Sequence, residues 1–146
     1  MPTFNKYVQI ANKPSQVRDG LDRAIRRAVE KDERILAVLE DMGFPVLTWL
    51  RDAYPDRIIE CGIAEQNAAV VAAGLAAEGY VPIINNFLFA GISRAYNQIR
   101  QSILVDRFNV KFIGREGVWG ETGISHNTVE GIGSTRVLPN LVILNP

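Results

Sequence analysis

A carboxylate placed where a strand ends and a helix begins is the most chemically suggestive feature of this sequence. Residues 57–63 (RIIECGI) predict a short buried strand because β-branched isoleucines dominate them. Glu65 then opens the segment Glu65–Ala77, which is rich in Ala and Val and predicts a helix closed by Gly79 just beyond its last turn. Ligands of open α/β sheets bind where strands end and helices begin, so Glu65 is a candidate binding residue. Acidic residues also favour the first turn of any helix, which leaves a purely structural role open.

Strands that alternate with helices must position Glu65. Residues 34–39 contain the run ILAVL, whose lack of alternation is typical of a parallel strand covered on both faces. The predicted strands are 34–39, 57–63, 81–85, 110–113 and 141–144, and the predicted helices are 15–30, Pro45–Ala53, Glu65–Ala77, 92–104 and 128–138. This order predicts a three-layer α/β/α fold with a mostly parallel sheet between two layers of helices.

The loops that leave parallel strands meet at one edge of the sheet, and residues able to bind or react fall on them. These residues are Asp41, Glu65, Phe87, Phe89 and His126. His126 is the only histidine of the chain, and a histidine can donate to a substrate oxygen or move a proton near neutral pH. A structural role in its loop is the alternative for His126, as burial in the core is for the two phenylalanines.

Composition predicts one domain, residues 14–146, after a short N-terminal arm, residues 1–13. The 16 basic and 16 acidic residues balance, so the chain lacks the charge pattern expected for binding nucleic acid or an anionic membrane. No apolar run has the length of a membrane span, and no signal-peptide pattern opens the chain. Cys61 is the only cysteine, which excludes an internal disulfide and favours a reducing cytoplasm. Its place in a predicted buried strand favours a core role over a nucleophilic one.

Four blocks of sequence resemble the pyrimidine-binding domain of the transketolase family, in the order and spacing of that family. They are GIAEQN, AAGLAAEGYVPIINNF, RAYNQIRQSI and GISHNTVEGIGSTRVLPNLVILNP. The resemblance covers about residues 19–146 and implies the thiamine diphosphate-binding fold. In such enzymes the cofactor carries out the organic chemistry, and the protein binds, orients and tunes it.

The resemblance implies roles for the residues that would hold the cofactor. Glu65 matches the glutamate that hydrogen-bonds to the aminopyrimidine ring and favours the imino tautomer that takes the thiazolium proton. Phe87 and Phe89 lie where the family places aromatic rings against the pyrimidine, although its second aromatic more often stands at the position of Ala90. Asp41 matches an aspartate that is often near the cofactor.

The resemblance also implies substrate-binding residues. His126 matches a histidine near substrate and cofactor, and Arg18 and Arg94 match arginines that contact a phosphate of the substrate or cofactor. Both arginines could equally lie on an ordinary surface. Thr122 stands where the family commonly has an aspartate that contacts a substrate hydroxyl, which argues against a standard ketose phosphate as the substrate.

The sequence lacks the GDG motif and the paired asparagines with which the family binds magnesium and the diphosphate. The family's third domain is absent as well. By resemblance, this chain therefore holds at most half of a thiamine diphosphate molecule. A partner subunit would supply the rest by binding the diphosphate and providing most of the ligands of Mg²⁺. Two copies of this chain would form the homodimer core of a heterotetramer with two partner subunits.

Three functions follow from the resemblance. The first is the pyrimidine-binding subunit of a split transketolase-like enzyme, which moves a two-carbon ketol or acyl unit from a sugar phosphate or ketoacid. The second is a non-catalytic assembly or regulatory subunit that keeps the fold. The third is a fragment of a longer transketolase C-terminal subunit.

Overall fold

A parallel β-sheet forms the centre of the fold. The computed structural model describes residues 17–41, 45–87, 92–115 and 126–145 of the 146-residue chain. Within them, the strands are β1 (Ile35–Leu39), β2 (Ile58–Glu60), β3 (Val81–Phe87) and β4 (Lys111–Arg115). All pairings are parallel and the strand order is β2-β1-β3-β4. The predicted α/β class with a mostly parallel sheet is therefore confirmed.

Helices cover both faces of this sheet, as the apolar strands require. The described helices are α1 (Val17–Val29), α2 (Pro45–Ala53), α3 (Glu65–Ala77), α4 (Tyr96–Gln98) and α5 (Gly131–Thr135). On one face, α1 and α2 pack against the sheet in a cluster of buried residues: Ile25, Val29, Ile35, Ala37, Leu39, Leu47, Leu50 and Ile83. None of the described helices is both long and apolar enough to cross a lipid bilayer.

The other face of the sheet packs against α3. Its buried cluster consists of Leu36, Val38, Ala68, Ala72 and Ile84. Alanine side chains are small, so the axis of α3 can lie close to the strands, and Ala68 and Ala72 are fully buried there. This close packing fixes the amino end of α3, and therefore Glu65, against the sheet.

The predicted helix 92–104 is helical throughout but not as a regular α-helix. The short α4 runs directly into a π-helical segment, Ile99–Leu104. Its wider turn is seen in the hydrogen bonds from Val105 N–H to the carbonyl of Arg100 and from Phe108 N–H to the carbonyl of Ile103, each spanning five residues. The apolar stripe Ile92, Ala95, Ile99 and Ile103 is buried in the core as its spacing predicts.

Three further predicted elements depart from the structure in extent or kind. The predicted buried strand 57–63 is a strand only over Ile58–Glu60, which are half-buried to exposed, and the turn at Gly62 follows it. The predicted helix 128–138 is helical only over Gly131–Thr135, where two glycines weaken the helix and the Thr135 hydroxyl bonds back to the carbonyl of Gly131 at 2.6 Å. The predicted strand 141–144 is irregular and pairs with none of the described strands. Val142 and Leu144 are 81 % and 87 % exposed, so this apolar run does not gain the burial that would favour a strand.

Candidate functional site

The strand order creates one crevice at the carboxyl edge of the sheet. From β1 the chain goes to β2 on one side, and β3 then lies on the other side of β1. The next strands after β1 and after β3 thus lie on opposite sides of this pair, and in open α/β sheets ligands bind at the carboxyl ends of two such strands. Glu40 directly follows β1 and Asn86 lies near the end of β3, and both are buried at this edge.

A tight turn delivers Glu65 to the same edge. The N–H of Cys61 donates to the carbonyl of Leu39 at 2.9 Å, which keeps the chain beside β1 after β2 has ended. Gly62 then has a φ of +67°, a left-handed conformation that glycine adopts at little cost. The helix α3 begins two residues after Ile63, and Glu65 in its first turn is 6 % exposed. A strand, a left-handed glycine and a helix thus place one carboxylate in a nearly dry position.

Arg94 neutralises this carboxylate. Its Nη1 donates to both carboxylate oxygens of Glu65, at 3.0 and 3.2 Å. The Glu65 side chain is buried, whereas that of Arg94 is 56 % exposed, so the guanidinium bridges the buried carboxylate and the solvent. The sequence predicts both residues as site residues, but not that they contact one another.

Glu40 is a second buried carboxyl group at this edge, which sequence reasoning missed. It is 3 % exposed, and neither of its oxygens has a hydrogen-bond partner among the described residues. Burial, and then the nearby charges of Glu65 and Glu60, raise the pKa of Glu40 from its ordinary value of 4.5 to about 7. The signal in the sequence is an acid that directly continues the apolar run ILAVL.

Glu60 joins the segments that follow β1 and β2. Its Oε1 accepts hydrogen bonds from the N–H of Asp41 at 2.6 Å and from the N–H of Gly62 at 3.2 Å. Its Oε2 lies 3.4 Å from Arg51, a longer contact between half-exposed groups. Burial, followed by the charges of Glu40 and Glu60, raises the pKa of the neighbouring Cys61 thiol, so Cys61 is a poor nucleophile here.

The remaining predicted site residues are described to different extents. Asp41 lies on the loop after β1 with an exposed side chain, and its left-handed φ of +57° follows the bend of that loop. His126 is exposed at the start of the range 126–145. Phe87 ends β3 and Arg18 lies in α1, but their side chains are outside the described residues, as are Phe89, Ala90 and Thr122 entirely. The roles of these residues stay predictions.

The described residues contain no group of three or more His, Cys, Asp or Glu side chains arranged to hold a metal ion. Within the described ranges, backbone N–H groups and arginines engage Glu60 and Glu65, and the Glu40 oxygens have no hydrogen-bond partner. The arrangement places an arginine-paired carboxylate and a second buried carboxyl group at the edge of the sheet, where both could hydrogen-bond to a ligand.

Comparisons with known proteins show similarity in sequence and in fold. A family model described as "Transketolase, pyrimidine binding domain" matches residues 13–146. The 1-deoxy-D-xylulose-5-phosphate synthase of Shouchella clausii is 37 % identical over 124 residues, which are 84 % of this chain and 20 % of that protein. The 1-deoxy-D-xylulose-5-phosphate synthase 1 of Geobacter metallireducens is also 37 % identical, over 126 residues, with the same coverage. The chain thus spans about a fifth of the length of these relatives.

Solved structures show the same similarity. A split-gene transketolase, solved as an inactive β4 tetramer, is 33 % identical with a TM-score of 0.71, and the match covers 84 % of this chain and 40 % of that one. The transketolase of Pichia stipitis in complex with sedoheptulose 7-phosphate has a TM-score of 0.72 over 89 % of this chain and 21 % of that one. At 21 % identity, the Pichia structure supports the fold alone.

Proposed function

This chain belongs to the family of transketolase pyrimidine-binding domains, and on that premise we propose that it supplies the pyrimidine half of a thiamine diphosphate site. The whole enzyme transfers a two-carbon ketol or acyl unit from a sugar phosphate or ketoacid. A separate diphosphate-binding subunit completes the site and provides most of the ligands of Mg²⁺. A homodimer of this chain forms the core of the resulting heterotetramer, which works in the cytoplasm.

The observation that carries this proposal is the position of Glu65. A 4-aminopyrimidine ring presents nitrogen atoms along one edge, and a buried carboxylate at the carboxyl edge of a parallel sheet is a suitable partner for them. Glu40, buried and without a described partner at the same edge, adds further capacity for hydrogen bonding. The residues present therefore fit the pyrimidine half of the cofactor.

Thiamine diphosphate, when bound, would supply nucleophilic chemistry toward carbonyl groups, and this chain would orient its pyrimidine ring. The Glu65 carboxylate would lie beside the ring nitrogen and accept a proton or hydrogen bond from it at one carboxylate oxygen. Fixed geometry in a water-poor site makes such a proton transfer efficient, because the carboxylate needs no reorganisation when the transfer occurs. By resemblance to the family, Phe87 and Phe89 would stack against the ring, and Asp41 would lie near the cofactor.

Arg94 has a second role in this proposal. Its guanidinium is more than half exposed while it contacts Glu65, so it can also bind an anionic group that arrives from solvent. A phosphate or carboxylate of the substrate is such a group. Arg18 and His126 complete the substrate side, with His126 donating to a substrate oxygen.

The split organisation is supported by one relative in particular. The structure with 33 % identity is a split-gene transketolase, and the tetramer formed by that chain is inactive. A chain that holds only half of a cofactor is expected to be inactive without its partner. A non-catalytic docking subunit and a fragment of a longer transketolase are the alternatives, and the deoxyxylulose phosphate synthases among the relatives are examples of longer proteins with a matching segment.

Isothermal titration calorimetry tests this proposal. Thiamine diphosphate with Mg²⁺ is titrated into this chain, into a candidate diphosphate-binding chain, and into their mixture. We expect heat of binding only for the mixture. A stable complex of the two chains that binds no cofactor would contradict the proposal and favour a docking subunit, and tight binding by this chain alone would contradict the shared site.

A further inference from the structure

We propose that Glu40 is a positioning residue of this site, a buried carboxylic acid whose retained proton leaves Glu65 as the single buried negative charge of the crevice. The inference deepens the proposed function, since it concerns the same crevice. It rests on the placement of three carboxyl groups and two arginines.

Glu40 and Glu65 lie on the same side of the sheet. Alternation along β1 puts Glu40 on the face of Val38, and Val38 packs with Ala68 and Ala72 of α3. Glu65 begins α3 on this face, so both carboxyls lie at the carboxyl edge beneath the same helix. Both are more than nine-tenths buried, at 3 % and 6 % exposure.

The neighbouring charged groups leave Glu40 without compensation. Among the described residues, Arg94 contacts Glu65, and Arg51 contacts Glu60 at the exit of β2. The N–H groups of Asp41 and Gly62, which flank the crevice, also donate to Glu60. A buried carboxylate without hydrogen bonds or a counter-ion is unfavourable, so its surroundings favour the protonated form of Glu40.

The direction of the pKa of Glu40 agrees with this geometry, because burial and then the charges of Glu65 and Glu60 raise it to about 7. Cys61 is the other titratable group facing Glu40, and burial followed by the charges of Glu40 and Glu60 raises the pKa of its thiol. Below neutral pH, Arg94 therefore faces one buried carboxylate. Above it, the Glu40 carboxylate adds a second buried negative charge near Glu65.

A bound ring that covers the crevice would remove the remaining water from Glu40 and favour its neutral form further. Ligand binding at this edge is then coupled to uptake of a proton. When the complex requires protonated Glu40, the affinity for cofactor falls by about tenfold for each pH unit above the pKa of Glu40.

Carbon NMR of the full chain, labelled at glutamate side chains, tests the first part. Spectra of the wild type, Glu40→Gln and Glu60→Gln are recorded between about pH 4 and about pH 9. We expect the assigned Glu40 resonance to shift with a midpoint near pH 7, and the Glu65 resonance to shift at the same pH. In Glu40→Gln the Glu65 resonance should lose that inflection. In Glu60→Gln, the matched control, the Glu40 midpoint should persist and move to lower pH, because one of the charges that raise it is gone.

A Glu40 midpoint near pH 4.5 in the wild type, or a Glu65 resonance unaffected by Glu40→Gln, would overturn the inference. If Glu40→Gln does not fold, the wild type and Glu60→Gln still test the inference, because the resonances of Glu40 and Glu65 are observed directly in both. The second part uses the two-chain complex and its affinity for thiamine diphosphate. We expect wild-type affinity about tenfold lower at about pH 8 than at about pH 6, and an affinity for Glu40→Gln that does not change over this range.

The two proposals can fail separately. An unchanged pH profile in Glu40→Gln would overturn the role of Glu40 while leaving the cofactor site in place. No binding by any variant at any pH would overturn the proposed function, and the NMR titration would then decide on Glu40 by itself.

Discussion

Arg94 holds both oxygens of the buried Glu65 carboxylate with one guanidinium nitrogen, at 3.0 and 3.2 Å, across 29 residues of sequence. The contact joins the amino end of α3 to the helical stretch that precedes α4. It explains how a carboxylate can remain in a nearly dry position, because a counter-ion compensates for much of its lost hydration. The pair is thus both a structural link and the centre of the proposed site.

Replacing Arg94 tests that structural link. Arg94→Gln leaves the buried Glu65 carboxylate without its cation, and we expect the free energy of unfolding to fall by about 2 kcal/mol. The loss is limited because Arg94 is half-exposed, so water can take over part of its contact with the carboxylate. Urea denaturation near neutral pH measures it. Arg100→Gln, an exposed change in the following π-helical segment, is the control and should stay within about 0.5 kcal/mol of the wild type. Equal stabilities for the two variants would show that the pair contributes nothing.

The ionisation of Glu40 should make stability depend on pH. Because its pKa is raised in the folded chain, from 4.5 to about 7, unfolding releases a proton between these values and the wild type loses stability as pH rises through them. The full shift corresponds to about 3 kcal/mol. Glu40→Gln lacks this dependence, so its stability relative to the wild type should rise by about 3 kcal/mol between about pH 4 and about pH 8. Denaturation curves that stay parallel across this range would contradict the raised pKa.

Cys61 offers a chemical probe of the same charge. Burial is the main cause of its raised thiol pKa, and the charges of Glu40 and Glu60 add to it. At about pH 8, Glu40→Gln should lower that pKa and speed alkylation by iodoacetamide by about two- to threefold, since the thiolate is the reacting form. Glu78→Gln, at the exposed far end of α3, should leave the rate unchanged. A faster reaction in both variants would indicate a general loosening of the fold.

The close packing of α3 on the sheet is open to a steric test. Ala72 is fully buried beside Leu36 and Val38, so Ala72→Leu forces the helix away from the strands and should destabilise the chain by about 1–3 kcal/mol. Ala77→Leu adds the same atoms at an exposed position of the same helix and should change stability by less than about 0.5 kcal/mol. Thermal unfolding compares the two. A well-tolerated Ala72→Leu would mean that α3 does not lie as close to the sheet as described.

Local signals in the sequence predict several elements at their observed bounds. The helices Pro45–Ala53 and Glu65–Ala77 match the structure at both ends. For the second, a left-handed glycine turn before it and Gly79 after it, with a φ of +91°, are properties of the local sequence. The apolar run of β1 is also a local signal, and it predicts the burial of this strand on both faces.

Elements whose state depends on distant partners are not predictable in this way. Residues 141–144 have the composition of a buried strand, but a strand forms only where a neighbouring edge pairs with it, and the described residues pair none there. The predicted helix 128–138 fails where glycines make helix formation depend on tertiary contacts. The π-helical turns of Ile99–Leu104 have no separate signal in an apolar stripe that fits an α-helix.

In the candidate site, too, local features could be predicted from the sequence and tertiary contacts could not. The strand, turn and helix around Glu65 place it at the edge of the sheet from sequence alone. Its contact with Arg94 depends on how two distant segments pack, and the isolation of Glu40 depends on which cations are already engaged. Pairing and burial of charges are tertiary properties, so a linear pattern shows the candidates and not their partners.

Glu65 tests the central claim most directly, in the complex of this chain with a diphosphate-binding subunit. Glu65→Gln keeps the size of the side chain and removes its ability to accept a proton. Turnover of a ketol or acyl donor and affinity for thiamine diphosphate are measured for Glu65→Gln and for Glu78→Gln, the same change at the other end of α3. We predict that Glu65→Gln folds and assembles but loses about two or more orders of magnitude in turnover, whereas Glu78→Gln retains wild-type activity. Normal turnover by Glu65→Gln would contradict the account.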